Sequence, residues 1–101
     1  MWAQMIKMSL KPGHEQELET LFDQLHATEQ PDSGLLRTIA LRDQADPSQI
    51  YTLILFASEE QARARESDPR RSESLTTVRS LMADMFDGPP EFTNFTVIRD
   101  V

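Results

Sequence analysis

The chain has 101 residues and a net charge of −7, and 39% of its residues are apolar. This length suits one domain over residues 1–101 with a modest core, and the apolar fraction excludes wholesale disorder. A surface this acidic repels a phosphate backbone and an anionic membrane, so neither nucleic acid nor a membrane is an expected partner. The absence of cysteine excludes disulfides and thiol nucleophiles.

No targeting or membrane segment is expected from the sequence. The N-terminal stretch MWAQMIKMSLKPG lacks the apolar block and the small-residue cleavage site of a signal peptide. No stretch approaches the roughly 20 apolar residues that cross a bilayer. We therefore expect a cytoplasmic protein.

The first two predicted elements are a strand and a helix. In MWAQMIKMSLK, residues 1–11, side chains alternate between two faces, and this period of two predicts a strand. In HEQELETLFDQLHATEQ, residues 14–30, the apolar side chains recur at helical spacing and predict an amphipathic helix. Its apolar face consists of Leu18, Leu21, Phe22 and Leu25.

Two apolar strands are predicted next, LLRTIALRD at 35–43 and IYTLILFA at 50–57. The Asp-Pro-Ser of the connecting QADPSQ is typical of a turn, which predicts an antiparallel pair. The second of these strands is apolar on both faces. We therefore place it in the middle of a sheet that is covered on each side.

The remaining chain predicts a second helix and a last strand. SEEQARARES begins the helix with Ser58 as its N-cap, and Pro69 predicts an interruption. SESLTTVRSLMADMF at 72–86 continues it, with an apolar face that ends at Phe86. DGPP at 87–90 is predicted to be a break, and EFTNFTVIRDV at 91–101 a strand.

The predicted order, β-α-β-β-α-β, is typical of a ferredoxin-like α+β fold with a four-stranded antiparallel sheet. Its helices cover one face of the sheet. The other face is too apolar to leave in water, since it carries Met5, Leu53, Leu55, Phe95 and Val97. We therefore expect a homodimer that forms through this open sheet face and closes into an α+β barrel.

Three stretches carry a family resemblance: SLKPGHEQELETLFDQL, IYTLILFASEEQARARESDPRR and FTNFTVIRDV. Together they resemble the antibiotic-biosynthesis-monooxygenase-like domains of the dimeric α+β barrel superfamily. The resemblance implies a small-molecule pocket between the helices and the sheet. In the branch that oxidises aromatic polyketides without a cofactor, the substrate's own anion passes an electron to oxygen.

Arginine occupies positions where this family most often has histidine. The helical His corresponds to Arg65, and a following His-His pair corresponds to Arg70 and Arg71. The family's Trp at the end of the third strand corresponds to Phe56. Arginine does not shuttle protons near neutral pH, which counts against the family's histidine chemistry.

The resemblance does not extend to haem degradation. The Asn, Trp and His of the haem-degrading branch correspond to Ile6, Arg65 and about Ser74. No cofactor is therefore expected. A metal is not expected either, because His14 and Glu17 are one helical turn apart without a third ligand.

The resemblance also implies a set of candidate site residues. As catalytic residues, Arg65 would stabilise a developing anion and His26 would act as a base. Expected ligand-binding residues are Gln4, Ile6, Phe22, Phe56 and Met82. Structural alternatives stay open. The aromatic and Met side chains also suit a core, His26 suits the C-terminal end of a helix dipole, and arginines among acids suit a solvated helix face.

Three functions are compatible with these patterns. The favoured one is a cofactor-independent monooxygenase-like enzyme that acts on a small phenolic or quinol substrate. The main alternative is a non-catalytic dimeric barrel that binds a small anionic metabolite through Arg65 and its neighbours. The third is an interaction module whose pocket is filled.

Overall fold

The computed structural model describes residues 1–101 as four strands and three helices. The strands are β1 (Trp2–Leu10), β2 (Leu35–Arg42), β3 (Gln49–Phe56) and β4 (Phe86–Thr96). The helices are α1 (Leu18–Ala27), which follows a short 3-10 turn at Glu15–Glu17, then α2 (Glu59–Glu66) and α3 (Pro69–Met85). This order confirms the predicted ferredoxin-like α+β arrangement. No helix is both long enough and apolar enough to span a membrane.

The four strands form one antiparallel sheet in the order β2-β3-β1-β4. The buried side chains of β3 alternate with half-buried ones along the strand, because successive side chains of a strand point to opposite faces. The buried set faces the helices and consists of Ile50, Thr52, Ile54 and Phe56. The predicted central position of β3 is confirmed.

Two clusters of buried residues hold the helices on the sheet. The larger cluster contains Leu18 and Leu21 of α1 and Leu75, Val78 and Met85 of α3, packed on residues of β1, β3 and β4. The smaller cluster joins α2 to the other end of the sheet through Trp2, Ile54, Phe56 and Ala62. Ile6 packs against both clusters and therefore marks the boundary between them.

Pro69 separates two helices, as the sequence predicts. The side chain of Ser58 caps α2 by accepting a hydrogen bond from the backbone N–H of Gln61 at 3.2 Å. Asp68 caps α3 in the same way through the N–H of Arg70 at 2.9 Å. Pro69 is tolerated in the first turn of α3 because a backbone N–H there has no partner within the helix.

The prediction for the start of β4 was wrong. Phe86 is the first residue of β4 and pairs with Leu10 instead of ending the helical face, and DGPP lies within the strand. Gly88 adopts a positive φ of 70°, and the pairing register with β1 shifts between Lys7 and Ser9. This irregularity accommodates the two prolines, whose missing N–H groups are tolerated on an edge strand. At its other end β4 stops at Thr96, short of the predicted Val101.

Candidate functional site

The arginines of α2 contact the aromatic residues at one end of the sheet. The Arg63 guanidinium lies 5.2 Å from the centre of the Trp2 ring, and that of Arg65 lies 5.3 Å from the centre of the Phe56 ring. The two rings are 5.9 Å apart and tilted by 49°. Both contacts are within the range of cation–π attraction, so these arginines help to fix α2 on the sheet.

Arg65 also forms the most enclosed ion pair of the chain. Its Nε lies 3.0 Å from both carboxylate oxygens of Glu29, and its Nη2 contacts the same carboxylate. The two side chains are only 12% and 14% exposed. The predicted anion stabiliser is thus already matched with a carboxylate from the segment after α1.

A polar cleft of about 250 Å³ opens beside this ion pair. Its walls come from the loop after α1 and from the junction of α2 and α3, and only one of its nine lining residues is hydrophobic. We call it the arginine cleft because it is lined by Arg65, Arg70 and Arg71. It also contains two carboxylates, Asp32 and Asp68, so it is not uniformly positive.

The charges of the arginine cleft are unevenly paired. Arg70 lies 2.6 Å from Asp68 and 3.4 Å from Asp32. Arg71 forms no ion pair with any carboxylate of the chain, and its Nε is buried without a hydrogen-bond partner. Burial and the nearby Arg65 lower the pKa of Arg71 below its ordinary value, although an arginine remains charged at neutral pH.

A second candidate site lies on the helix-facing side of β1 and β4. Gln4 pairs with Asn94 and Ile6 pairs with Phe92, so these four residues form two adjacent cross-strand rows. Gln4 donates a hydrogen bond from Nε2 to Oδ1 of Asn94 at 3.1 Å, which leaves the N–H groups of Asn94 available. Phe92 is 58% exposed and Asn94 is also exposed, so the helices leave this part of β4 uncovered.

Thr52 extends this surface onto β3, where it pairs with Ile6. Thr52 is 6% exposed, and its hydroxyl is buried without a hydrogen-bond partner. An unpaired buried hydroxyl is costly, and such groups are often found where a ligand or an ordered water binds. We call the surface formed by Gln4, Ile6, Thr52, Phe92 and Asn94 the helix-facing platform.

The other predicted site residues lie apart from these two surfaces. Phe22 and Met82 are half-buried against the larger core cluster, and Phe56 is 2% exposed in the smaller one. His26 is exposed near the C-terminal end of α1 and does not line the arginine cleft. The structure therefore brings together Gln4 and Ile6 but not His26 and Arg65, whose catalytic roles stay predictions.

Sequence reasoning missed several members of both surfaces. Asp32 and Ser33 of the cleft, and Glu29 beside it, carry no local signal, because they meet the arginines of α2 and α3 only through the fold. Thr52 did carry a local signal, since it has the single hydroxyl on the buried face of an otherwise apolar strand. Asn94 became a candidate only when the register placed it opposite Gln4.

The sheet face opposite the helices carries four of the five predicted apolar side chains. Ala3 lies between Leu55 and Phe95, and Met5 lies next to Leu53. Phe95 is 44% exposed in the single chain. Val97, which was expected to extend this face, lies just beyond the end of β4.

Comparison with known proteins matches this chain to one family. A family model described as antibiotic biosynthesis monooxygenase matches residues 1–73. This confirms the resemblance found in the sequence. No sequence among curated proteins matches the chain at a significant level.

Several solved structures share the fold. SnoaB, a cofactor-independent oxygenase from Streptomyces nogalater whose structure is that of a point mutant, has 15% identity and a TM-score of 0.75, covering 99% of this chain and 95% of its own. A mutant of MhuD with two manganese protoporphyrin IX molecules per active site has 18% identity and a TM-score of 0.81, covering 100% and 98%. Rv0793 from Mycobacterium tuberculosis has 14% identity and a TM-score of 0.72, covering 98% and 96%. At these identities the likeness establishes the fold alone.

Proposed function

Because the chain belongs to the antibiotic biosynthesis monooxygenase family, we propose that it oxidises a small phenolic or quinol substrate with molecular oxygen and without a resident cofactor. The substrate lies on the helix-facing platform. Its ring packs against Phe92 and Ile6, and its oxygen points toward the amides of Gln4 and Asn94. The similarity to SnoaB, a cofactor-independent oxygenase, supports this reaction class.

The observation that carries the proposal is a group of polar side chains beside an exposed aromatic ring on the helix-facing side of the sheet. Thr52 buries an unpaired hydroxyl between the two core clusters, next to a hydrogen-bonded amide pair. An exposed aromatic ring beside a few polar groups is the usual composition of a site for a flat, partly polar molecule. A bound phenol would cover Phe92 and provide a partner for the free amide hydrogens.

The proposed chemistry needs little from the protein beyond binding and charge stabilisation. Once a phenolic substrate has lost its proton, its anion is electron-rich enough to reduce oxygen directly. Neutral amide donors that point at the substrate oxygen stabilise the anionic form. His26 is the proton acceptor predicted from the sequence. The structure exposes His26 to solvent, and its role as a base stays a prediction.

The porphyrin of the MhuD structure is not part of this proposal. The positions that correspond to the haem-degrading branch are Ile6, Arg65 and Ser74, and none of them offers an imidazole to iron. His14 is hydrogen-bonded to Glu17 at 2.9 Å before α1, away from the platform.

Oxygen uptake tests the proposal directly. Purified protein is mixed with a panel of hydroquinones and fused-ring phenols in the presence and absence of EDTA, and oxygen is followed with an electrode. We expect uptake that EDTA does not change. Gln4→Leu and Asn94→Leu should each lower kcat/KM by about tenfold or more, because each removes a donor to the developing charge. Gln44→Leu, in an exposed loop, serves as the control.

The possible outcomes separate the three functions. Binding of a phenol without any oxygen uptake would indicate a non-catalytic binding protein instead of an enzyme. If none of the phenols binds and none is oxidised, the platform is only a surface and the proposal fails. Uptake that is equal in the wild type and in both platform variants would place the reaction elsewhere. His26→Gln, measured in the same assay, tests the predicted base.

We further propose that two chains associate through the open sheet face around Leu53, Leu55 and Phe95. In this arrangement the apolar side chains of both copies leave water together. The helix-facing platform lies on the opposite side of each sheet. Substrate binding would therefore not compete with dimer formation.

A further inference from the structure

The arginine cleft differs from the helix-facing platform in both position and chemistry. It lies between the loop after α1 and the α2–α3 junction, and it is almost entirely polar. Its volume of about 250 Å³ is below the range of roughly 300–1,000 Å³ that is usual for sites of drug-sized ligands. A ligand for this cleft must therefore be small and polar.

The charges that line the cleft set the charge of that ligand. Glu29 pairs with Arg65, and two carboxylates, Asp68 and Asp32, both contact Arg70. The remaining guanidinium is that of Arg71. It contacts no carboxylate, and its Nε is buried without a hydrogen-bond partner. The three guanidiniums are balanced by three carboxylates in total, but Arg71 itself contacts none of them, so its guanidinium is the group that can bind one negative charge on a ligand.

Hydrogen-bond donors stand near this charge. Ser33 accepts a hydrogen bond from the N–H of Leu35 at 3.3 Å, which leaves its own O–H free to donate. Gln61 accepts from the Ser58 hydroxyl through Oε1, so its amide N–H groups are also free. Both side chains line the cleft together with Arg71.

We propose that the arginine cleft is a binding site for a small monoanionic carboxylate, with Arg71 as its charge partner and Ser33 and Gln61 as flanking donors. A planar carboxylate matches the fork of a guanidinium, which offers two parallel N–H donors. A phosphate dianion fits less well, because Asp32 and Asp68 in the same cleft repel a second negative charge. The site does not depend on the oxygenase activity proposed for the platform.

Nuclear magnetic resonance of the arginine side chains tests the proposal. The ¹H–¹⁵N cross-peak of the Arg71 Nε–H group is assigned by its loss in Arg71→Lys. It is then followed while sodium acetate or sodium benzoate replaces sodium chloride at constant ionic strength. We expect a saturable shift of this cross-peak and of the Ser33 and Gln61 backbone amides. Arg71→Gln lacks this Nε–H group and is followed through the Ser33 and Gln61 amides, where it should weaken binding by about tenfold or more.

Matched variants and a second anion decide the outcome. Arg42→Gln removes one exposed positive charge on β2, outside the cleft, and should keep the wild-type affinity. Arg71→Lys keeps the positive charge but loses the paired N–H donors of the guanidinium, so it should bind the carboxylate with intermediate affinity. This variant keeps the proposal testable if Arg71→Gln does not fold. The proposal is overturned if neither carboxylate gives a saturable shift, or if Arg42→Gln weakens binding as much as Arg71→Gln. It is also overturned if inorganic phosphate binds more tightly than acetate.

Discussion

At the scale of single residues, the Arg65–Glu29 pair shows that a side chain with a predicted catalytic role also takes part in an enclosed ion pair. The carboxylate reaches Arg65 from 36 residues away and leaves both side chains nearly enclosed. Removing one partner of such a pair leaves the other charge poorly solvated and unpaired. The contribution of this ion pair to the stability of the fold can therefore be measured independently of any activity.

We expect Glu29→Gln to lower the free energy of unfolding by about 2 kcal/mol, less than for a fully buried pair because the site is partly wet. Urea denaturation at neutral pH measures the change. Glu66→Gln is the control, since it breaks the exposed contact of Glu66 with Arg63 at 3.4 Å and should cost about 0.5 kcal/mol or less. Equal losses in the two variants would mean that enclosure adds nothing to the Arg65 pair.

The unpaired hydroxyl of Thr52 gives a second prediction at the residue scale. Thr52→Val keeps the shape of the side chain and removes a buried polar atom, so it should raise the free energy of unfolding by about 1 kcal/mol. Thr52→Ser, which keeps the hydroxyl and loses a methyl group, should lower it by a similar amount. A loss of stability in Thr52→Val would contradict this prediction and would indicate that the hydroxyl has a hydrogen-bond partner in solution, in the chain or in an ordered water.

At the scale of elements, the carboxylate of Asp68 caps α3 at its junction with α2. The hydrogen bond of the Arg70 side chain, followed by that of its backbone N–H, lowers the pKa of Asp68. Since the folded value lies below the unfolded value of about 3.9, the stabilisation is present above that pH. It is lost as the pH falls through the folded pKa.

We therefore expect the melting temperature of the wild type to fall more steeply below about pH 4 than that of Asp68→Asn. The asparagine variant keeps a capping oxygen but has no charge to lose. Circular dichroism melts between neutral and acidic pH measure both profiles. Asp84→Asn, at an exposed position of α3, should follow the wild-type profile. Parallel profiles for the wild type and Asp68→Asn would contradict the role of the Asp68 charge.

Most elements could be predicted from the sequence because their signals are local. The period of two in β1 and β3, the apolar face of α1 and the cap-and-proline pattern at Ser58 and Pro69 all depend on neighbouring residues. The start of β4 depends instead on a partner strand. DGPP is typical of a turn by itself, and it becomes part of a strand only because β1 offers a register that shifts beside Gly88.

At the scale of the whole molecule, the same distinction separates the fold from the site. The cleft and the platform are both made by residues that are distant in sequence, such as Asp32 with Arg70 and Gln4 with Asn94. Periodicity indicates which face of an element is buried, but it does not indicate which polar groups meet there. The family resemblance supplied the position of Gln4 and Ile6, whereas their partners came from the strand register.

The apolar open sheet face predicts that the whole molecule is a dimer. Its centre is formed by Leu53 and Met5 in one cross-strand row and by Leu55, Ala3 and Phe95 in the next. We expect sedimentation equilibrium to give a mass about twice the 11.6 kDa of one chain. Leu53→Asp should shift the protein to the monomer mass, because a charge at the centre of the face would be desolvated on association.

A matched control separates loss of the interface from loss of the fold. Thr77→Asp adds the same charge on the exposed side of α3, away from the sheet, and should remain a dimer. Circular dichroism should show that both variants keep the folded spectrum, since Leu53 is on the side of the sheet that does not contact the helices. A wild type that sediments as a monomer would contradict the proposed dimer. It would also leave Leu53, Leu55 and Phe95 as an apolar surface in water, and such a chain should aggregate as its concentration rises.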